Sequence, residues 1–471
     1  MLPGMPTPPA PPPFPDGPPP PEGGDACPGS LRPHTADDGL LVRVRIPGGV
    51  LTTRQAQVAA DAADRLGDGT LHLTSRGNVQ LRGLRSDGVR ELAGLLTAAG
   101  LLPSARHERV RNVVASPLSA RDGRGHRDVR PWLRELDALL CASNSAPELS
   151  GRFLFALDDG RGDVLALGPD VTLLASPAGD AVLYVADTAA ARVPAAEAPR
   201  AALLAAETFL TAARECAART WRVTELPGGP GALARALPQR LRDAGLAAAP
   251  PPAPRTAPPT APPAAPPTPG VLPGAGPDGP VTLSVHAPFG ALGTARWRAL
   301  VDAARLGDAD ELTLTPWRGV LVPGLPRARA EEAAARLAAA GLVTDPASPW
   351  PGVGACVGRP GCAKALADVR ADAAAALPDP APATPAASGT GGVPVYWSGC
   401  ARRCGHPRGE HVDVLATGDG YRVTAPDGHT VHLPAPAAGG APPPGRTAAA
   451  LAAARVGTRT TGGSATGTAT R

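Results

Sequence analysis

Leu73-Thr-Ser-Arg-Gly-Asn-Val-Gln-Leu-Arg-Gly-Leu84 recurs, 241 residues further along, as Leu314-Thr-Pro-Trp-Arg-Gly-Val-Leu-Val-Pro-Gly-Leu325. Each block is preceded by an alternating apolar stretch that predicts a strand, Leu40–Ile46 and Val281–Val285. Between strand and block lies an Ala-rich amphipathic stretch that predicts a helix, over about 53–66 and about 295–306. A second predicted helix follows each block, about 87–99 and about 328–340, and stops at Gly100-Leu101 or Gly341-Leu342, glycine being the residue that tolerates the backbone beyond a helix end. The common register and the matching order of flanking elements mark a duplicated β-α-β-α unit. Such a molecule is expected to be pseudo-twofold, with a cleft between or beside its halves, where large ligands commonly sit.

Composition divides the rest of the chain. Of 471 residues 60 are Pro and 56 Gly, and these concentrate in residues 1–26, 248–280 and 434–471, blocks too poor in bulky apolar side chains to offset the entropy of ordering. They are expected to be disordered, with 250–270 an extended spacer. The ordered units then run over 30–102 (first repeat), 103–247, 281–345 (second repeat) and 350–433. The unit at 103–247 contains Arg111-Asn112 and the strand-like Arg152-Phe-Leu-Phe-Ala-Leu157.

A net charge of +4, with no basic run interleaved with aromatics, argues against a nucleic-acid partner. The N-terminal stretch has no basic-then-apolar leader pattern and no long apolar run occurs, so a cytoplasmic protein with no membrane partner is expected. In a reducing compartment the seven cysteines point to metal or redox chemistry rather than disulfides. Cys27, Cys141 and Cys216 are scattered, and the sequence assigns them no role. The other four form a C-x5-C pair, Cys356 and Cys362, and after 37 residues a C-x3-C pair, Cys400 and Cys404. Four soft thiolates near Gly and Pro turns suit tetrahedral zinc or an iron–sulfur cube, and the spacing departs from the C-x2-C knuckles of structural zinc, which favours a 4Fe-4S cluster. Gly274-Ala-Gly276-Pro-Asp-Gly279 spells a dinucleotide fingerprint, but it precedes a strand instead of following one, so no nicotinamide-binding domain is expected.

These features together resemble the siroheme-containing nitrite and sulfite reductase-like superfamily and, within it, the precorrin-3B synthases of aerobic cobalamin biosynthesis. The resemblance rests on the cysteine spacing, the duplication, Cys27-Pro-Gly-Ser-Leu-Arg-Pro33, Asp38-Gly-Leu-Leu-Val-Arg-Val-Arg45, the Thr-Ser-Arg-Gly-Asn block, Thr315-Pro-Trp-Arg318 and Ser398-Gly-Cys-Ala-Arg-Arg-Cys-Gly-His-Pro407. It implies an α+β fold of two ferredoxin-like repeats, each followed by a nitrite/sulfite reductase-type domain, the second holding 4Fe-4S on Cys356, Cys362, Cys400 and Cys404. It also implies a monooxygenase acting on precorrin-3A and O2, with electrons from an external reductase or ferredoxin and a mononuclear non-haem iron whose ligands are not apparent. Carried over by motif, Arg76 and Arg111 match two of the family's basic positions and a third falls near Arg152. The catalytic candidates are then Arg76, Arg111 and the adjoining Asn112, and arginine's planar fork suits Arg43, Arg45, Arg76, Arg111, Arg152 and Arg318 to the carboxylates of a precorrin. Asn78 and His406 are weaker candidates. A lysine of the reductases is replaced here by Leu154. The alternatives are a siroheme-dependent sulfite or nitrite reductase, which Leu154 disfavours, and a non-catalytic iron–sulfur sensor.

Overall fold

The computed structural model describes residues 25, 27–251, 266–377, 393–407, 409–435, 447–451 and 454. The first repeat contains β1 His34–Ala36, β2 Gly39–Val44, β3 Val50–Thr52, α1 Thr53–Leu66, β4 Thr70–Leu73, β5 Val79–Leu84 and α2 Gly88–Ala98. The unit after it contains β6 Val113–Ala115, α3 Arg130–Ala142, β7 Phe155–Asp158, β8 Val171–Ala175, β9 Ala181–Val185, β10 Thr188–Val193, α4 Ala198–Arg214 and α5 Gly229–Asp243. The second repeat contains β11 Gly270–Leu272, β12 Val281–His286, β13 Ala291–Gly293, α6 Thr294–Ala304, β14 Glu311–Leu314, β15 Gly319–Leu325 and α7 Arg327–Ala339. The last unit contains β16 Val353–Ala355, α8 Val369–Ala375, β17 Val395–Ser398, β18 Val412–Thr417, β19 Gly420–Thr424 and β20 Thr430–Pro434. The fold is α+β, and the elements expected around each block are present.

Local chemistry explains the helix limits. Thr52 and Gln55 form a reciprocal capping box at the start of α1. Gly100 and Gly341, both at positive φ, end α2 and α7, and the N–H groups of Leu101 and Leu342 reach back to Leu96 and Leu337.

The two repeats are interlocked. β3 of the first repeat joins the sheet of the second (order β11-β12-β15-β14-β3), and β13 of the second joins that of the first (β1-β2-β5-β4-β13). Leu51 lies opposite Leu312, and its counterpart Leu292 lies opposite Leu71. The crossings are tight: a Cβ on Gly49 would lie 2.0 Å from the Leu314 carbonyl oxygen, and one on Gly290 3.0 Å from that of Leu73. Both glycines adopt positive φ, so a side chain is excluded by space and by backbone conformation. The repeats consequently share one hydrophobic core, in which Trp297 of α6 donates its indole N–H to the Ala56 carbonyl of α1 at 2.8 Å.

The two other units repeat each other as well. Their sheets, β10-β9-β8-β7-β6 and β16-β17-β18-β19-β20, each combine three parallel strands with two antiparallel ones.

The expected disordered blocks need correction where they overlap described residues. Gly270–Leu272, inside the supposed linker, is a strand paired with β12, and Ala249 bridges to Arg192. Gly274–Gly279 is therefore part of a hairpin connection. Asp25 accepts hydrogen bonds from Gly151 N–H at 2.7 Å and the Ser150 hydroxyl at 3.1 Å, which anchors the start of the described chain. Residues 447–451 and 454, in the supposed tail, are helical, and Ala450, Leu451 and Ala454 pack on the core of the last unit. An Ala-rich run with one Leu has high helix propensity and a small apolar stripe. The rest of these three blocks lies outside the described residues.

Candidate functional site

Strand alternation builds an arginine face. Val42 and Val44 of β2 enter the shared core, so Arg43 and Arg45 project from the other side of the sheet. On β5, Val79 and Leu81 face the core in the same way, leaving Gln80 and Arg82 beside them. Arg45 is buried; its Nη1 donates to Asn112 Oδ1 at 3.0 Å and its Nη2 to the Gly151 carbonyl at 2.8 Å, while Nε has no partner. Arg43 Nη1 lies 4.0 Å from Cys27 Sγ. With the Gln80 amide oriented to satisfy both groups, its oxygen accepts from Arg43 Nη2 at 2.7 Å.

Arg76 joins this face from the turn between β4 and β5. Burial, and then the charge of Arg222, push Arg76 down to about 10, and burial and then Arg43 push Arg45 down to about 9. Both groups remain charged at neutral pH. Arg222 was not legible as a site residue: it sits in a short turn far along the chain and reaches this place through a buried ion pair with Asp170 at 2.6 Å. Among the described residues, none of Arg43, Arg45 and Arg76 forms an ion pair with a carboxylate.

Other sequence candidates serve different ends. Arg111, expected to face ligand, is spent on a bidentate pair with Asp137, 2.7 Å for each bond, and on the Leu101 carbonyl at 3.1 Å. Asn112 is fully buried and donates to the Phe153 carbonyl at 2.8 Å while accepting from Arg45, so it positions that arginine from the interior. Asn78 Oδ1 accepts from Ile46 N–H at 2.9 Å and links the turn to β2. Arg152 is only loosely opposed to Glu225, at 3.6 Å. Leu154 is buried in a small apolar cluster with Val114, Ala156 and Val164. Arg318 adopts positive φ, at the position equivalent to Gly77 rather than Arg76, and its side chain passes over Gly290 and Gly354. His406 is exposed and stacks edge-on against His411, with ring centroids 4.6 Å apart.

The cysteines come from two loops of the last unit, Cys356 and Cys362 after β16 and Cys400 and Cys404 after β17, and all four are free thiols. Burial pushes the Cys404 thiol up; Arg402 opposes this, and Cys400, Cys356 and Cys362 are all close enough to add to it. Gly399 N–H donates to Cys356 Sγ at 3.2 Å, and a Cβ there would meet Ala365 Cβ at 2.8 Å. Four soft donors on two neighbouring loops, with a backbone N–H directed at one sulfur, are the donor type that a 4Fe-4S cluster takes. Among the described residues no three His, Cys, Asp or Glu converge on a single ion position. The loop rests on the first repeat: Ala363 N–H donates to Asp37 at 2.9 Å, and Arg82, bidentate to Asp38, reaches the Gly361 carbonyl at 3.3 Å. The first cysteine loop thus contacts the β1–β2 turn and β5 of the sheet whose β2 carries Arg43 and Arg45.

The family model described as the nitrite/sulfite reductase ferredoxin-like half domain matches residues 32–99 and 274–340. A precorrin-3B synthase from a Sinorhizobium species is 28% identical over 401 residues, covering 84% of this chain and 81% of that protein. A ferredoxin–nitrite reductase of Leptolyngbya laminosa is 33% identical over 103 residues, 21% of this chain and 20% of the relative. The solved structure of the Mycobacterium tuberculosis NirA protein shares the fold, with a TM-score of 0.64 and 20% identity, covering 82% of this chain and 74% of that one. The chain thus carries two segments similar to the nitrite/sulfite reductase ferredoxin-like half domain and is similar to a precorrin-3B synthase over most of its length.

The cysteine site has a structural twin in the other half of the molecule. Val113 pairs with Phe155 as Val353 pairs with Val395, a shift of 240 residues, which sets Ser116 opposite Cys356. Ser116 N–H donates to the Leu157 carbonyl at 3.0 Å, as Cys356 N–H does to that of Trp397 at 3.0 Å. Ser116 Oγ accepts from Asp159 N–H at 3.1 Å, as Cys356 Sγ does from Gly399. The loop equivalent to Ser398–Cys404 is Asp158-Asp-Gly-Arg-Gly-Asp-Val164, and Arg161 fills it, pairing with Asp159 at 2.7 Å and Asp122 at 2.9 Å. An ion cluster stands where the other half gathers thiols.

Burial raises the Asp163 carboxyl of this loop to about 7, opposed by the Ser116 hydroxyl and reinforced by Asp158. An unfolded aspartate titrates at 3.8, so between these values the native state holds a proton that the unfolded chain has released. The associated stability is complete below pH 3.8 and is lost as pH rises through about 7. Asp163→Asn is therefore expected to flatten the pH dependence of urea-melt stability across that window. An identical slope in wild type and variant would reject the assignment.

Proposed function

We propose that this chain is an oxidoreductase of the precorrin-3B synthase type. One oxygen atom of O2 is inserted into precorrin-3A with lactone formation, and the other leaves as water with two electrons and two protons from an external donor. The observation that carries this reading is the set Arg43, Arg45 and Arg76, with Arg45 buried and the other two half-buried beside it. None is in an ion pair among the described residues, Asp25 and Asp170 acting on Arg43 and Arg76 only from beyond that distance. An enclosed, unpaired cation costs several kcal/mol, and a polycarboxylate ligand offsets that cost through bidentate pairing. A precorrin is such a ligand. The match to the Sinorhizobium synthase over 84% of the chain supports the same substrate class.

Cys356, Cys362, Cys400 and Cys404 would hold a 4Fe-4S cluster, which supplies one-electron transfer when bound. Arg45, fixed by Asn112 and Gly151, orients a carboxylate, and Arg43 and Arg76 flank it. A siroheme reductase is the second reading, since siroheme is also a polycarboxylate. Buried Leu154, which stands where such reductases place a cation for their anionic substrate, weighs against it.

The test is anaerobic titration with precorrin-3A, followed by O2 and a reductant, with product mass rising by one oxygen. Arg76→Ala is expected to weaken binding by about 1.5–3 kcal/mol, roughly ten- to over a hundred-fold. Arg111→Ala should leave affinity of the folded protein nearly unchanged and lower its stability instead. Sulfite turnover with precorrin-3A untouched would overturn the proposal in favour of the second reading.

A further inference from the structure

Arg370 lies in the first turn of α8, directly behind the first cysteine loop. Its Nε donates to the main-chain carbonyl of Cys356 at 3.2 Å, and its surroundings are Cys356, Arg82, Tyr396 and Arg318. Two carboxylates close to it in sequence are engaged elsewhere: Asp368 caps α8 by accepting from Ala371 N–H at 3.1 Å, and Asp372 accepts from the Tyr421 hydroxyl. Arg82 is already neutralised by its bidentate pair with Asp38. Among the described residues Arg370 makes no ion pair, and Arg318, the other cation beside it, makes none either. A partly buried guanidinium is thus held against a cysteine backbone with no anion of its own.

We propose that Arg370 is a positioning residue that sets the reduction potential of the cluster, its fixed charge favouring the reduced state. The inference rests on the cluster reading above. Four thiolates around a 4Fe-4S core carry net charge −2 when oxidised and −3 after one electron is accepted from a donor such as dithionite, with no bond broken and no proton moved. A fixed positive charge beside one ligand stabilises the −3 form more than the −2 form, and low surrounding polarity prolongs the effect. Arginine suits this role because it stays protonated, and its hydrogen bond to the Cys356 carbonyl holds the charge in place. The sequence offers no sign of it, since Arg370 belongs to no motif and the chain contains many arginines.

The experiment compares wild type with Arg370→Gln, Arg370→Met and Arg370→Lys as full chains purified anaerobically. Iron and acid-labile sulfide are assayed first, and each protein is then titrated with dithionite while the reduced cluster's electron paramagnetic resonance signal is followed. Retained iron and sulfide are expected in all three variants. The reduction equilibrium should fall about tenfold in the Gln and Met variants, which is about 59 mV for a one-electron couple, and change less than threefold in the Lys variant. A full complement of cluster with an unchanged midpoint in R370Q and R370M would overturn the proposal. So would loss of the cluster from both, which would make Arg370 a residue of the fold only. Wild-type protein without iron and sulfide is a different failure, that of the cluster reading itself.

Discussion

Each of Cys356→Ser, Cys362→Ser, Cys400→Ser and Cys404→Ser is expected to yield protein lacking the iron and sulfide of a 4Fe-4S cluster, whereas Cys141→Ser and Cys216→Ser retain both. A serine hydroxyl is a hard, weakly acidic donor, and the soft iron sites of the cube bind thiolate in preference. The two loops also differ in how they would respond. Cys356 already receives the Gly399 N–H and is tied through its own backbone to Trp397, so its serine variant should keep the loop fold while losing the cluster. Cys404 is exposed, and its substitution leaves less buried surface disturbed. Iron and sulfide analysis with absorption spectra on matched preparations decides the matter. Full content in two or more of the four variants would refute the ligand assignment.

The second large effect is expected at the twin of that site. Arg161→Met should cost about 3–5 kcal/mol of unfolding free energy, the range for removing one partner of a buried ionic group. Asp159 is fully buried and Asp122 nearly so, and Met fills the volume of the arginine stem without supplying charge. Much of the loss is the cost of the carboxylates left behind, so Arg161→Met combined with Asp159→Asn should recover part of it. A double-mutant cycle by denaturant unfolding measures that coupling. A loss below about 1 kcal/mol for R161M would mean that the cluster is hydrated enough to need no counter-charge.

How much was legible depended on the range of the interaction concerned. The duplication, the helices, their glycine stops and the cysteine grouping are local or periodic, and each was readable because pattern and propensity act within a few residues. The arginine face was half readable: alternation along β2 puts Arg43 and Arg45 on one side, but that this side is the enclosed one follows from Val42 and Val44 meeting the shared core. For Arg111 and Asn112 the motif carries no information about Asp137 or Phe153, the partners that folding brings to them from 26 and 41 residues away.

The sequence by itself determined that this protein is a duplicated α+β chain with one group of four thiols and an arginine-rich strand. Only the tertiary structure decided that the repeats exchange β3 and β13, that Arg222 and Arg370 join the functional surroundings, and that the twin of the cysteine site is closed by Arg161. The physical reason is that a strand's partner, a buried charge's counter-ion and a loop's neighbour are long-range pairings. Their energies depend on what else is enclosed with them, which no local pattern of residues encodes.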